Sequence, residues 1–292
     1  MISEDGMSNP AFLHLYQSIP TVRAPRYIMR RLRIVALGSS FAAGPGIEPQ
    51  NDPAARRSGR NYAHQLADLV DAELTDLTVS GATLLNVLRE PQEITGSPRA
   101  IFQPQLDSVP SNADIVTLTG GGNDLGYSGG MVFDSLMASV PAPVRYMCRT
   151  WIPHPGTDLT LEQLVSRFVE VLDAVHQKAP QAKIFLVQYQ CVFGPLSRPG
   201  PDLPLSWDSI EYYRRRGVVL DRAYETAAKA RPGFVELLSV ADWSEDHAIG
   251  SEQPWMSGFS LGMIWNRHIP YHPNLIAHTA IAEKLAAAIR SL

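Results

Sequence analysis

Ser40 lies in the run Gly38-Ser39-Ser40-Phe41-Ala42-Ala43-Gly44, whose small residues permit a tight turn from an extended segment into a helix. A serine on such a turn holds its hydroxyl clear of the backbone, and the helix N-terminus that follows offers N–H groups to an anion. The hydroxyl attacks poorly until a base takes its proton. A base is available in Pro270-Tyr271-His272-Pro273-Asn274, where two prolines stiffen the backbone around His272. Two further stretches supply donors. Val79-Ser80-Gly81-Ala82-Thr83 carries a glycine that lets a ligand approach the backbone closely. Thr119-Gly120-Gly121-Gly122-Asn123-Asp124 strips side chains from a loop and leaves Asn123 as a neutral amide donor. Hydroxyl, imidazole, backbone N–H and amide are the parts needed to attack a carbonyl and hold the oxyanion that results. Each stretch alone is also ordinary turn chemistry, since Gly, Ser, Asn and Asp dominate tight turns.

These stretches need elements to bring them together. After residue 30, short β-rich runs alternate with helical patterns, which predicts an α/β fold with a parallel sheet. The expected strands are Leu32–Leu37, Leu74–Val79, Asp114–Thr119, Lys183–Tyr189 and Phe234–Leu238. Thr160 and Gln163 form a capping-box pattern ahead of Leu161, Leu164, Val165, Phe168, Leu172 and Val175 at helical spacing. Asp208 and Glu211 open a second long helix, stopped by Arg231-Pro232-Gly233, and a last helix covers Leu275–Ile289. In the doubly wound order 2-1-3-4-5, strand 1 lies between strands 2 and 3. The loops carrying Ser40, Gly81 and Asn123 then become neighbours at one sheet edge. Two long connections, 125–159 and 193–206, also leave strand C-termini. The first holds Met131, Val132, Phe133, Leu136, Met137, Tyr146 and Trp151, and the second is proline-rich. Both read equally as substrate walls or as packed excursions.

The 292 residues are 45% hydrophobic and 18% charged, with a mean hydropathy of -0.08, as expected of a globular chain with a sizeable core. A net charge of -4 leaves no electrostatic footprint for nucleic acid. The Arg30, Arg31 and Arg33 cluster reads as a solvated strand entry. No apolar run reaches the ~18 residues that suggest a spanning helix, and residues 11–16 lack a signal-peptide plan. Cys148 and Cys191 are too few for a disulfide framework. A cytoplasmic monomer with an extension over 1–30 and one domain over 31–292 is the expectation.

The ordered set resembles the blocks of SGNH (GDSL-like) hydrolases. Gly38–Gly44 matches the nucleophile block, Gly81 the glycine of the second block, Gly121-Gly122-Asn123-Asp124 the third, and His272-Pro273-Asn274 the histidine block. The resemblance implies a three-layer α/β/α, flavodoxin-like fold with a five-stranded parallel sheet. It implies an esterase or lipase in which Ser40 attacks an ester and His272 is general base, with no cofactor or metal. The Ser40 N–H, the Gly81 N–H and the Asn123 side chain would form the oxyanion hole. The substrate would be a small ester, a lipid or an acylated sugar, with Trp255, Tyr271 and Phe41 beside it.

The sequence departs from the family's pattern at three places. Ser39 replaces an aspartate that is not the triad acid, and Ala277 stands where a glycine often precedes the second histidine, here His278. The usual acid lies three residues before the histidine, and that position is Ile269. The Ile269 backbone carbonyl is therefore expected to steady a Ser-His dyad, with Asp246 and Glu252 as alternative carboxylates. Four other readings compete. Gly38-Ser39-Ser40-Phe41-Ala42 nearly fits the α/β-hydrolase elbow but lacks its last glycine. A phosphate-binding module lacks a Walker A lysine after Gly44, and an inactive binding protein of the same fold keeps the blocks without turnover. His268 and His272 have the spacing of a helical zinc pair, which the prolines oppose.

Overall fold

The computed structural model describes residues 30–95, 98–157, 159–262 and 269–292, and residues 31–292 form one compact unit. The expected extension over 1–30 therefore lies outside the described residues, apart from Arg30. Five parallel strands build the central sheet: β1 (Arg33–Gly38), β2 (Glu73–Asp76), β3 (Ile115–Thr119), β4 (Lys183–Val187) and β5 (Val235–Leu238). Their order is β2-β1-β3-β4-β5, the doubly wound order expected. Two short antiparallel pairs, Gln50–Asp52 with Arg57–Ser58 and Gln92–Ile94 with Ala100–Phe102, lie outside it.

The α-helices described are α1 (Ser40–Ala43), α2 (Tyr62–Leu69), α3 (Leu84–Leu88), α4 (Tyr127–Ser139), α5 (Ala142–Trp151), α6 (Leu161–Lys178), α7 (Trp207–Lys229), α8 (Val240–Ser244) and α9 (Leu275–Arg290). Thr160 and Gln163 complete the expected capping box of α6. Ser206, two residues ahead of the expected Asp208, caps α7, and Asn274 caps α9.

Strand alternation sends side chains into two layers. Val35, Leu37, Val116, Leu118, Ile184 and Leu186 face the layer containing Phe168, Leu172 and Leu220 of α6 and α7. Ile34, Ala36, Ile115, Phe185 and Val187 face Leu66 of α2 and Ile281 and Leu285 of α9. Interior strands buried on both faces explain why their sequences read as nearly continuous apolar runs.

The two long connections divide differently from a simple substrate wall. Met131 and Met137 of α4 are buried, with Val132 and Leu136 packed against the same core. Phe193, Leu203 and Leu205 are buried as well. Both excursions thus contribute apolar side chains to the core. Tyr146 and Trp151 of α5 instead stand in solvent.

Candidate active site

The nucleophile loop is anchored by the strand that enters it. Gly38 has φ of +134°, and a Cβ there would sit 2.1 Å from the Thr119 carbonyl oxygen, so only glycine lets β1 leave the sheet here. The buried Gln105 side chain clamps the same residue, accepting from Gly38 N–H at 2.8 Å and donating to Gly38 C=O at 2.9 Å. Ser39 N–H donates to the Thr119 carbonyl at 2.9 Å, tying the turn to β3. Val79 N–H donates to the Gly38 carbonyl at 3.1 Å, tying it to the loop after β2.

Ser40 then opens α1 with its Oγ 2.8 Å from His272 Nε2. The other ring nitrogen, Nδ1, lies 2.8 Å from the Pro270 carbonyl oxygen. A carbonyl can only accept, so Nδ1 carries the hydrogen and Nε2 is left to accept the serine proton. This is the tautomer a general base requires. The steadying carbonyl is that of Pro270 rather than the expected Ile269. Two residues before the histidine, the carbonyl can fold back onto Nδ1 of the same turn, whereas Ile269 lines an outer cavity with Pro45, Arg60 and Leu275. Asp246 and Glu252 are exposed.

The loops of the expected donors Gly81 and Asn123 follow the two strands that flank β1. Neither the Ser40 N–H nor the Gly81 N–H has an acceptor among the described residues. Gly81 adopts a φ of +87°, a left-handed conformation that favours glycine. Asn123 Nδ2 donates to the Ala82 carbonyl at 2.9 Å, which fixes the amide beside the Gly81 loop and leaves its second N–H free. Asp124 braces the loop from behind, accepting from Leu84 N–H at 2.9 Å and from Arg167 at 2.8 Å. Burial pushes its carboxyl upward, and those two hydrogen bonds oppose the shift.

The three expected substrate contacts are placed elsewhere. Phe41 is fully buried, stacked on Tyr189 at 3.8 Å and tilted against the His272 ring at 5.2 Å. Tyr271 is also fully buried, with its hydroxyl on Ser135 Oγ at 2.6 Å. Trp255 stacks on His247 at 4.0 Å and meets Trp243 edge-on. Phe41 and Tyr271 pack around the histidine block, whereas Trp255 is half-buried against His247 and Trp243. His268, the partner in the zinc spacing, lies outside the described residues.

Two residues that the motifs did not point to belong here. Gln105 opens a short 3-10 turn, Gln105–Ser108, and its sequence surroundings carry no signal of its role. Tyr189 hydrogen-bonds Ser39 Oγ at 2.6 Å, filling the position that follows Gly38 with a neutral pair. Burial raises the Tyr189 phenol far above its ordinary value, so it stays a neutral partner.

A serine hydrogen-bonded to an imidazole in the basic tautomer, on a loop that the sheet order sets beside those of Gly81 and Asn123, is suited to acyl transfer. The GDSL-like lipase/acylhydrolase family matches residues 36–280, which span every element of this site. The chain belongs to that family. Lipase 2 of Streptomyces coelicolor is 29% identical over 274 residues, covering 89% of this chain and 86% of the relative. Among solved structures, the extracellular lipase of Streptomyces rimosus superposes with a TM-score of 0.65 at 22% identity, covering 88% of this chain and 99% of the other. Phospholipase A1 of Streptomyces albidoflavus superposes at 0.64 and 20% identity, covering 89% and 99%. These likenesses establish the SGNH fold. As a GDSL-like hydrolase, the chain cleaves carboxylic esters.

Proposed function

We propose that this GDSL-like hydrolase cleaves lipid-type esters as a monomer through an acyl-Ser40 intermediate, with His272 as general base and acid. The contact that carries the reading is Ser40 Oγ to His272 Nε2 at 2.8 Å, with Nδ1 committed to the Pro270 carbonyl. In the first half-reaction Oγ bonds to the ester carbon while its proton passes to Nε2. The carbonyl oxygen becomes an oxyanion facing the Ser40 and Gly81 N–H groups and the free N–H of Asn123. The carbon–oxygen bond to the alcohol then breaks, and the Nε2 proton goes to the departing oxygen. Water repeats the steps on the acyl-serine, releasing the acid and restoring Ser40.

A backbone carbonyl offers the developing imidazolium a dipole, where a carboxylate would offer a full charge. It still fixes tautomer and ring orientation. The lipid preference is supported by the relatives' names, a lipase and a phospholipase A1. Labelling with a fluorophosphonate probe tests the catalytic core: wild type labels and Ser40→Ala does not. Rates on acetyl, butyryl, octanoyl and palmitoyl esters test the substrate class. A preference for octanoyl or longer chains is expected, and a sharp acetyl preference would overturn it.

A further inference from the structure

Helix α5 turns its apolar stripe outward. Val144, Met147 and Trp151 recur at i, i+3 and i+7, the spacing that normally faces a core. Here their exposures rise from 40% to 56% to 80%, and no residue of α5 is buried. Tyr146 (79%) and Ile152 (50%) extend the exposed apolar area.

One flank of this stripe carries two arginines, Arg149 in solvent and Arg145 half-buried with its guanidinium on the Val140 carbonyl. The helix carries Arg145 and Arg149 and no acidic residue, in a chain whose net charge is -4. Arg149 is 57% exposed and only loosely paired with Asp134, at 3.7 Å. Tryptophan and tyrosine with arginine at the rim is the composition of helices that lie in a lipid–water interface. Two copies meeting through α5 would oppose like charges, whereas anionic headgroups complement them. Ten residues cannot span a bilayer, and no helix among the described residues is long and apolar enough to do so.

Position adds the last observation. α5 follows α4, which begins just beyond Asn123 and Asp124 at the edge of the sheet that carries Ser40. Arg149 and Ile152 share a cavity of about 450 Å³ with Tyr212, near the start of α7 on that same edge.

We propose that the outward stripe of α5 docks the enzyme on an anionic lipid surface, setting the catalytic edge toward ester-bearing lipid. The proposal rests on the lipid-ester reading above. Its test is sedimentation with vesicles of equal phosphatidylglycerol and phosphatidylcholine, against vesicles of phosphatidylcholine alone, for wild type and Met147→Glu/Trp151→Glu. Hydrolysis of a soluble butyrate ester and size-exclusion elution are measured on the same samples. Wild type is expected to bind the anionic vesicles about tenfold more tightly than the neutral ones, weakening with salt. The double variant should lose about tenfold or more of that affinity while keeping its rate on soluble ester. Equal vesicle binding by the two proteins, or none by wild type, would overturn the docking surface. So would a wild-type dimer that the double variant separates, which would give the stripe to a second copy. Vesicle binding without hydrolysis of any ester would strike the catalytic reading alone.

Discussion

At the scale of single residues, the three donors are not equivalent. The Ser40 and Gly81 N–H groups belong to the backbone and survive any side-chain change, so Asn123 is the donor that can be removed cleanly. Asn123→Ala should lower kcat by about a hundred- to a thousandfold with little change in KM, since the lost hydrogen bond matters chiefly to the oxyanion. Steady-state kinetics on a soluble ester check this, and a change confined to KM would place Asn123 in ground-state binding. The Nδ1 contact with Pro270 makes a second prediction. Asp246→Ala and Glu252→Ala should leave turnover within about twofold of wild type. A thousandfold loss at either would instead mark a displaced triad acid, since a triad carboxylate is worth about that much or more.

The elements explain what could be read in advance. Five apolar runs separated by helical patterns pointed to a parallel sheet, and the common doubly wound order, which the structure has, makes neighbours of the loops of Ser40, Gly81 and Asn123. Residue type announced the serine, the histidine and the amide. The contacts that hold them were illegible because they join residues distant in sequence: Gln105 to Gly38, Tyr189 to Ser39, Arg167 to Asp124. The choice of Pro270 over Ile269 turned on local backbone geometry that residue types do not specify. Phe41 and Tyr271 looked like substrate contacts because large aromatics beside catalytic residues are equally suited to packing them. The Ser39–Tyr189 pair can be tested as an element. Tyr189→Phe leaves a buried hydroxyl unpartnered and should cost about 1–3 kcal/mol. Ser39→Ala/Tyr189→Phe should recover part of that loss in thermal unfolding, and strict additivity would show the hydroxyls to be uncoupled.

For the whole molecule, a buried histidine and a half-buried aspartate shape stability against pH in opposite directions. His278 is fully buried, its Nδ1 accepts the Tyr62 N–H at 3.1 Å, and burial lowers its pKa to about 3, with a smaller push from His272. The unfolded chain binds that proton more readily, so this histidine's contribution rises with pH from about 3 to ~6.5, the ordinary histidine value. Asp221, on α7, is raised to about 7, first by burial and then by the carboxylates of Asp242 and Glu225. Here the folded state holds the proton more tightly. The stability Asp221 contributes is full below its ordinary value of ~4 and is lost as pH rises through about 7. Between ~4 and ~6.5 the two slopes oppose each other, and above about 7 the ionised Asp221 is left as a cost. Asp221→Asn removes that cost while keeping the side chain's shape. Its melting temperature should exceed wild type at pH 8, and the difference should shrink toward zero as pH falls to 4. Thermal unfolding across that range measures it, and a difference that stays constant with pH would show that Asp221 is not the titrating group.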